Sequence, residues 1–319
     1  MITRRRLIGA AAALAAPLPA RAAWPEKPVV IVNGFPGGNA DVVARILADE
    51  FARKLGHAFV VEQKAGAGGV VAAASVARAA PDGHTLLLMV GGHAVSAALY
   101  NKLGFRPVED FTMIGMITEF PFVIATHAGH AAKNGAELIA LARRASEPML
   151  FGTPGNGTGQ HMSAELFAAK AGLKFKHVPY RGSGQGVIDL LGQRLDFIVD
   201  TPTVVLPLVR DGQLRALAVT GGVRFFALPE IRTLVEAGVD GYETGSWLGL
   251  GAPAGLPGEI VTALNRALRE VLSEPPMADR LRELGSEVVP GTPEAFKARL
   301  ESDIAKWTEV VRATGMQKI

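Results

Sequence analysis

Short apolar runs, each followed by a glycine-rich loop and then an amphipathic helix, constrain this chain more than any other feature. The runs PVVIV (28–32), AFVVE (58–62) and TLLLMV (85–90) offer almost no polar face, so as strands they must be buried on both sides. Helical segments separate them. The first places Val43, Ile46, Leu47, Phe51 and Leu55 on one stripe, and Gly56 ends it. Buried strands alternating with helices predict an α/β chain with parallel sheets.

The rhythm restarts after about residue 127, with MLFG (149–152), FKHVP (175–179), DFIVD (196–200) and LRALAVT (214–220). These form a second α/β lobe. A strand-like SWLGLGAP (246–253) and two amphipathic segments, 259–272 and 293–314, then return to the first lobe, whose three early strands otherwise lack helices to cover them. The expected organisation is residues 1–22 as an export signal, 23–125 plus 246–319 as lobe one and 126–245 as lobe two. Two crossings between lobes make a hinge, and the cleft lies between them.

The export signal is read from the tri-arginine Arg4-Arg5-Arg6, an apolar stretch from Leu7 to Ala16 and an Ala20-Arg21-Ala22 ending. The stretch is far below the roughly 20 residues of a membrane span. The general and twin-arginine export routes both remain open. Cleavage near Ala22 removes four of the 33 Lys and Arg and none of the 30 Asp and Glu, leaving 297 residues with a net charge of −1. The formal charge of +3 on the full chain is therefore no sign of nucleic-acid binding. The absence of cysteine excludes disulfides, thiolate catalysis and cysteine-ligated metals. A soluble periplasmic monomer with no cofactor and no metal is expected.

Four glycine-rich loops follow strands and lead into helices: 34–41, 65–70 (AGAGGV), 152–161 (GTPGNGTGQH) and 179–186 (PYRGSGQG). In open α/β sheets that is where ligands lie. One such loop is an ordinary tight turn; four, two per lobe, point to an anion held by backbone N–H groups and helix N-termini. Each helix end favours a carboxylate or phosphate by about 0.3–1 kcal/mol, up to about 2 when partly buried. The hydroxyls of Thr158 and Ser183 and the amides of Asn39, Asn156 and Gln185 add neutral donors. Arg181 is the one nearby cation.

Catalytic signatures are absent from the sequence. AGAGGVVA lacks the third glycine of a dinucleotide fingerprint, and GTPGNGTGQ has Gln160 in that place. No GK[ST] follows a glycine run, no serine sits in G-x-S-x-G, and no histidines form H-E-x-x-H. His127 and His130 read as surface residues, and Asp41 as a helix-capping residue paired with Arg45. Met149, Phe151, Phe197 and Trp307 read as core.

An ordered set of motifs carries a resemblance: F-P-G-G-N-A-D (35–41), K-A-G-A-G-G (64–69), P-D-G-H-T-L-L (81–87), G-x-G-T-G-Q-H (155–161), H-V-P-Y-R-G (177–182), L-A-V-T (217–220) and W-L-G-L-G-A-P-A-G-L-P (247–257). From about Trp24 onward the chain resembles the tripartite tricarboxylate transporter substrate-binding proteins, also called the Bug family. The resemblance implies a periplasmic solute-binding protein of the Venus-flytrap fold whose cleft holds dicarboxylates, acidic amino acids or aromatic acids. It implies ligand contacts, partly through ordered waters, from Phe35, Gly37, Gly38, Asn39 and Asp41 and from Gly68 and Gly69. In lobe two it implies a carboxylate on the loop of Asn156, Gly157, Thr158 and His161, with Arg181 and Asp200 on the wall. The implied partners are an inner-membrane permease of the tripartite tricarboxylate type or a sensor domain.

Two departures from the family pattern stand out. Asn33-Gly34-Phe35 replaces a Pro-Phe-x start, moving the aromatic by one position and leaving the ligand's identity open. His84, read as structural, stands where tyrosine is common. A cleft enzyme acting on small acids is the competing reading, but it needs a nucleophile, base or metal that the sequence does not display. A scaffold with a vestigial cleft would place bulky side chains at Gly37, Gly38, Gly157 and Gly159, which are all glycine.

Overall fold

The computed structural model describes residues 24–319; the expected export signal lies outside the described residues. Numbered in chain order, β1 (Val29–Asn33), β2 (Phe59–Gln63), β3 (Thr85–Val90), β4 (Phe111–Phe120), β10 (Ser246–Pro253) and β11 (Glu287–Val288) build one sheet. Its order is β11-β4-β10-β3-β1-β2. The second sheet holds β5 (Val123–His127), β6 (Met149–Thr153), β7 (Phe175–Pro179), β8 (Phe197–Asp200) and β9 (Leu214–Val219), in the order β7-β6-β8-β5-β9. Each sheet forms one lobe of a two-lobed α/β fold. β5 begins at Val123, so the first crossing falls before the expected limit at 125.

The sheets are mixed. β1, β2 and β3 pair in parallel, as do β6, β7 and β8, but β10 runs antiparallel between β3 and β4, and β5 runs antiparallel between β8 and β9. The reason is topological. β3 and β8 run toward the cleft, whereas β5 and β10 are each the first strand after a crossing, so they start at the cleft and run away from it.

Side-chain alternation divides the first sheet between two apolar layers. Ile31, Leu86, Leu88, Leu248 and Leu250 pack with α1 (Asn39–Leu55) and α8 (Gly258–Ser273). Val32, Leu87, Met89 and Trp247 face α2 (Val70–Ala77), α3 (Gly92–Leu99) and α10 (Pro293–Thr314). In β10 the second face is built from Trp247 and then glycines. A Cβ on Gly249 would sit inside the Phe296 ring, so the missing side chain is what lets α10 lie flat on the sheet. α10 starts cleanly because Thr292 Oγ1 accepts from Ala295 N at 3.2 Å and Pro293 follows at the first helical position. In the second lobe α4 (Gly135–Arg144) and α5 (Gly159–Ala171) cover one face, and α6 (Ser183–Leu191) and α7 (Pro202–Arg210) the other.

The two crossings run side by side, since Ser246 pairs with Phe120. Thr220, fully buried, ties them together. Its Oγ1 accepts from Phe122 N at 2.8 Å and donates to Thr244 O at 3.0 Å, while its backbone bonds Phe122 O and Thr244 N. Thr220→Val preserves shape but leaves a buried N–H and a buried C=O without partners. It should lower unfolding free energy by about 1–3 kcal/mol, read from denaturant titration; an unchanged midpoint would show that these bonds carry no weight.

Candidate functional site

A cavity of about 870 Å³ lies between the lobes, at the cleft ends of β1, β3 and β8. Its walls follow from local sequence. After β1, Asn33 turns its side chain back on the loop, accepting from Phe35 N at 3.0 Å and donating to Phe35 O at 3.2 Å. That turn directs Phe35 to the cavity, with its ring against Gly69. α1 then opens at Gly38 with no side-chain cap, leaving its first N–H groups toward the cleft.

Lobe two presents three further helix starts. α5 is capped by Thr158, whose Oγ1 accepts from His161 N at 3.2 Å. α6 opens at Gly182 without a side-chain cap. α7 follows Thr201 with Pro202 at its first turn. Between them lies Asp200, only 3 % exposed. It accepts from Thr201 N at 2.7 Å, from Ser183 Oγ at 3.0 Å and from the Gln160 side chain. Burial nevertheless pushes its carboxyl up to about 6, against the pull of those hydrogen bonds. Arg181 lines the cavity, is exposed, and is the one cationic side chain among the described residues that does so.

Of the residues expected at the site, Phe35, Gly38, Asn39, Gly68, Gly69, Asn156, Arg181 and Asp200 line the cavity. Gly37, Asp41, Gly157, Thr158 and His161 do not line it, and Gly37 is exposed to solvent. Asp41 is engaged within lobe one, accepting from Gly37 N at 3.1 Å, from Gln63 Nε2 at 2.6 Å and pairing with Arg45 at 2.9 Å. Gly157, at φ +70°, is in the left-handed region, and a Cβ there would come within 3.3 Å of Tyr100 from the other lobe. Asn39 lines the cavity, yet its amide is bonded to Thr203 Oγ1 at 2.8 Å and Ser286 Oγ at 3.4 Å.

His161 braces the 155–158 loop from within α5. Its Nδ1 accepts from Gly157 N at 3.3 Å, and its ring stacks on His177 with centroids 4.0 Å apart. His177 in turn lies 2.6 Å from Thr153 Oγ1 and stacks on Phe151. Burial first, then the neighbouring His161, depresses His177 to about 3.

The sequence reading did not single out Tyr100, Phe120 and Phe122, which supply much of the apolar wall, and it treated Gln160 only as a missing glycine. Gln160 was findable, being the second residue of a helix that opens at the cleft. Among the described residues there is no cluster of histidine and carboxylate side chains suited to a metal, and no helix is long and apolar enough to cross a membrane.

The partly buried histidine stack has a pH consequence. Folded His177 stays neutral to about 3, while an unfolded histidine binds a proton below 6.5, so the stack loses stability as pH falls through that interval. A His177→Gln variant has no such proton to bind. The stability advantage of wild type over this variant should therefore shrink between pH 7 and pH 5 in urea titrations. A constant difference would contradict the neutral imidazole of His177.

Comparison with known proteins agrees with this architecture. The sequence profile of the tripartite tricarboxylate transporter family receptor matches residues 43–316. Rpa4515 of R. palustris, solved with adipate, is 35 % identical with a TM-score of 0.88, covering 92 % of this chain and 98 % of its own. The periplasmic binding protein BugD is 33 % identical with a TM-score of 0.88, covering 93 % of this chain and 100 % of its own. MatC from Rhodopseudomonas palustris, with bound malate, is 32 % identical with a TM-score of 0.85, over 90 % of this chain and 99 % of its own. With its fold in agreement with theirs and the family profile matching most of its length, this chain belongs to the tripartite tricarboxylate transporter receptors, the TctC or Bug family of solute-binding proteins.

Proposed function

We propose that the protein, exported to the periplasm and cleaved near Ala22, acts as a monomer that captures a small carboxylate between its lobes. It then delivers the carboxylate to an inner-membrane permease of the tripartite tricarboxylate type or to a sensor partner. The observation that carries this reading is the convergence of helix starts and neutral donors on one cavity whose single lining cation among the described residues is Arg181. Such a wall holds an anion by partial charges and N–H groups. Adipate in Rpa4515 and malate in MatC supply the ligand class. The hinge divides the chain at the crossings, with lobe one up to about residue 121 and again from 246, and lobe two between them.

Phe35, Gly38, Gly68, Gly69 and Asn156 are the direct contacts in this reading, with Arg181 at the rim and Asp200 at the floor. Gly37, Asp41, Gly157, Thr158 and His161 shape the loops that make those contacts. The alternative, a cleft enzyme, predicts chemical conversion of the ligand. Capture predicts the same molecule recovered unchanged.

A bound ligand stabilises the folded state by about 2.7 kcal/mol at a hundredfold excess over Kd. For chains somewhat smaller than this one each kcal/mol raises Tm by roughly 2–4 °C, so a true ligand should give a shift of several degrees. A screen of dicarboxylates, acidic amino acids and aromatic acids should yield at least one such shift. Gly157→Val, which strains the loop and meets Tyr100 across the cleft, should abolish the ligand-induced shift while lowering the unliganded Tm by a few degrees. Turnover of the ligand in proportion to protein concentration, stopped by Gly157→Val, would identify the cleft as an active site instead.

A further inference from the structure

Asp200 is the one acidic side chain lining the cavity among the described residues, and the reading of that cavity as a carboxylate site makes its presence a problem. It sits at the end of β8, 3 % exposed, on the lobe-two floor. The hydrogen bonds it accepts from Thr201 N, Ser183 Oγ and the Gln160 side chain come from neutral donors. Among the described residues, no lysine, arginine or histidine pairs with it.

The charged groups around it do not supply a counter-charge. β5 sets apolar Val123 opposite it in the sheet. α5 brings His161, whose Nδ1 accepts from Gly157 N and whose Nε2 lies 3.6 Å from Glu165. From the loop before α6 comes Arg181, exposed to water, and α7 contributes Thr201 and Thr203. From lobe one, Asn39 is bonded to Thr203, and the exposed terminal Ile319 lies at the rim.

A captured carboxylate set against the Asp200 floor brings two like charges together with no cation paired to Asp200, which favours a proton on one of the two. We propose that Asp200 takes up a proton from solvent as the ligand is captured, so that the site binds a carboxylate anion together with one proton. The acid hydroxyl of Asp200 then donates to the captured anion while its other oxygen keeps the donors already in place. Asp200 thereby becomes a specificity-determining residue, favouring an anion over a ligand that brings an ammonium group to the same floor. The empty site is already near this state, since burial holds the Asp200 carboxyl at about 6.

The test is calorimetric. The probe is whichever of adipate, malate, glutamate and benzoate binds most tightly, titrated at pH 7.5 in buffers of different protonation enthalpy. Wild type should take up close to one proton per ligand, and its Kd should weaken about tenfold per pH unit between 6.5 and 7.5. In Asp200→Asn the amide supplies the N–H permanently, so uptake should vanish, Kd should become flat with pH, and binding at pH 8 should be tighter than in wild type. Wild-type binding with no proton uptake and a flat Kd would overturn the proposal while leaving the carboxylate site intact. Uptake that persists in Asp200→Asn would overturn the assignment to Asp200. If none of the probes binds at pH 5.5 or 7.5, the carboxylate reading itself fails, and the proposal with it.

Discussion

Thr220 is the point on which the two-lobed arrangement depends. A chain that crosses twice between sheets must bring two irregular backbone segments into a buried position, where unpaired N–H and C=O groups are costly. One threonine at the end of β9 meets that requirement for both crossings, through its hydroxyl and its own backbone. Gly245 completes the junction, since a Cβ there would lie 2.9 Å from Phe120 O. The same junction reaches the site directly. Phe122, whose N–H bonds Thr220, packs so closely on Gly159 that a Cβ there would be 2.9 Å from its ring. The first turn of α5 therefore rests on the hinge.

Seen this way, the cleft is built mostly from backbone and from what glycine leaves uncovered. Its recognition groups are fixed by secondary structure rather than by long flexible side chains, so little ordering cost attends binding. The side chains nearest the loops are turned inward to hold them: Asn33 on Phe35, Asp41 on Gly37, Thr158 on Gly155 and His161, and His161 on Gly157. That division explains why residues belonging to the same short motif part company, some facing the cavity and others supporting it.

Much of this was legible in the sequence. Apolar runs located β1, β2, β3 and β6 to β10 to within a residue or so; most of these strands are buried on both faces and have few polar positions to blur the pattern, but β2 and β7 are edge strands, and Val60 of β2, expected to be buried, is 48 % exposed. β4 and β5 were not seen. They follow each other with only Pro121 and Phe122 between them, and no glycine or turn marks the passage from one sheet to the other. The antiparallel direction of β5 and β10 was hidden for a related reason, since direction is set by where a crossing enters and not by local composition. Glycine loops announced the cleft, whereas Tyr100, Phe120 and Phe122 reach it from a helix end and a crossing that carry no signature. His161 could be placed at a helix start but not aimed, since its partner His177 arrives through the pairing of β6 with β7.

The seam between the lobes also contains contacts made by residues other than the proposed direct ligand contacts. Thr203 meets Asn39 and Leu284 O at 2.8 and 2.9 Å, Arg282 lies over the Phe226 ring at 4.0 Å, and Gly285 has no room for a Cβ against Pro202. Opening the lobes breaks all of these regardless of what the cleft holds. Such contacts favour closure equally for every occupant, raising affinity across the board without sharpening discrimination. Selectivity must then come from the cavity wall alone, and the seam acts as a uniform offset on which differences between ligands are superimposed.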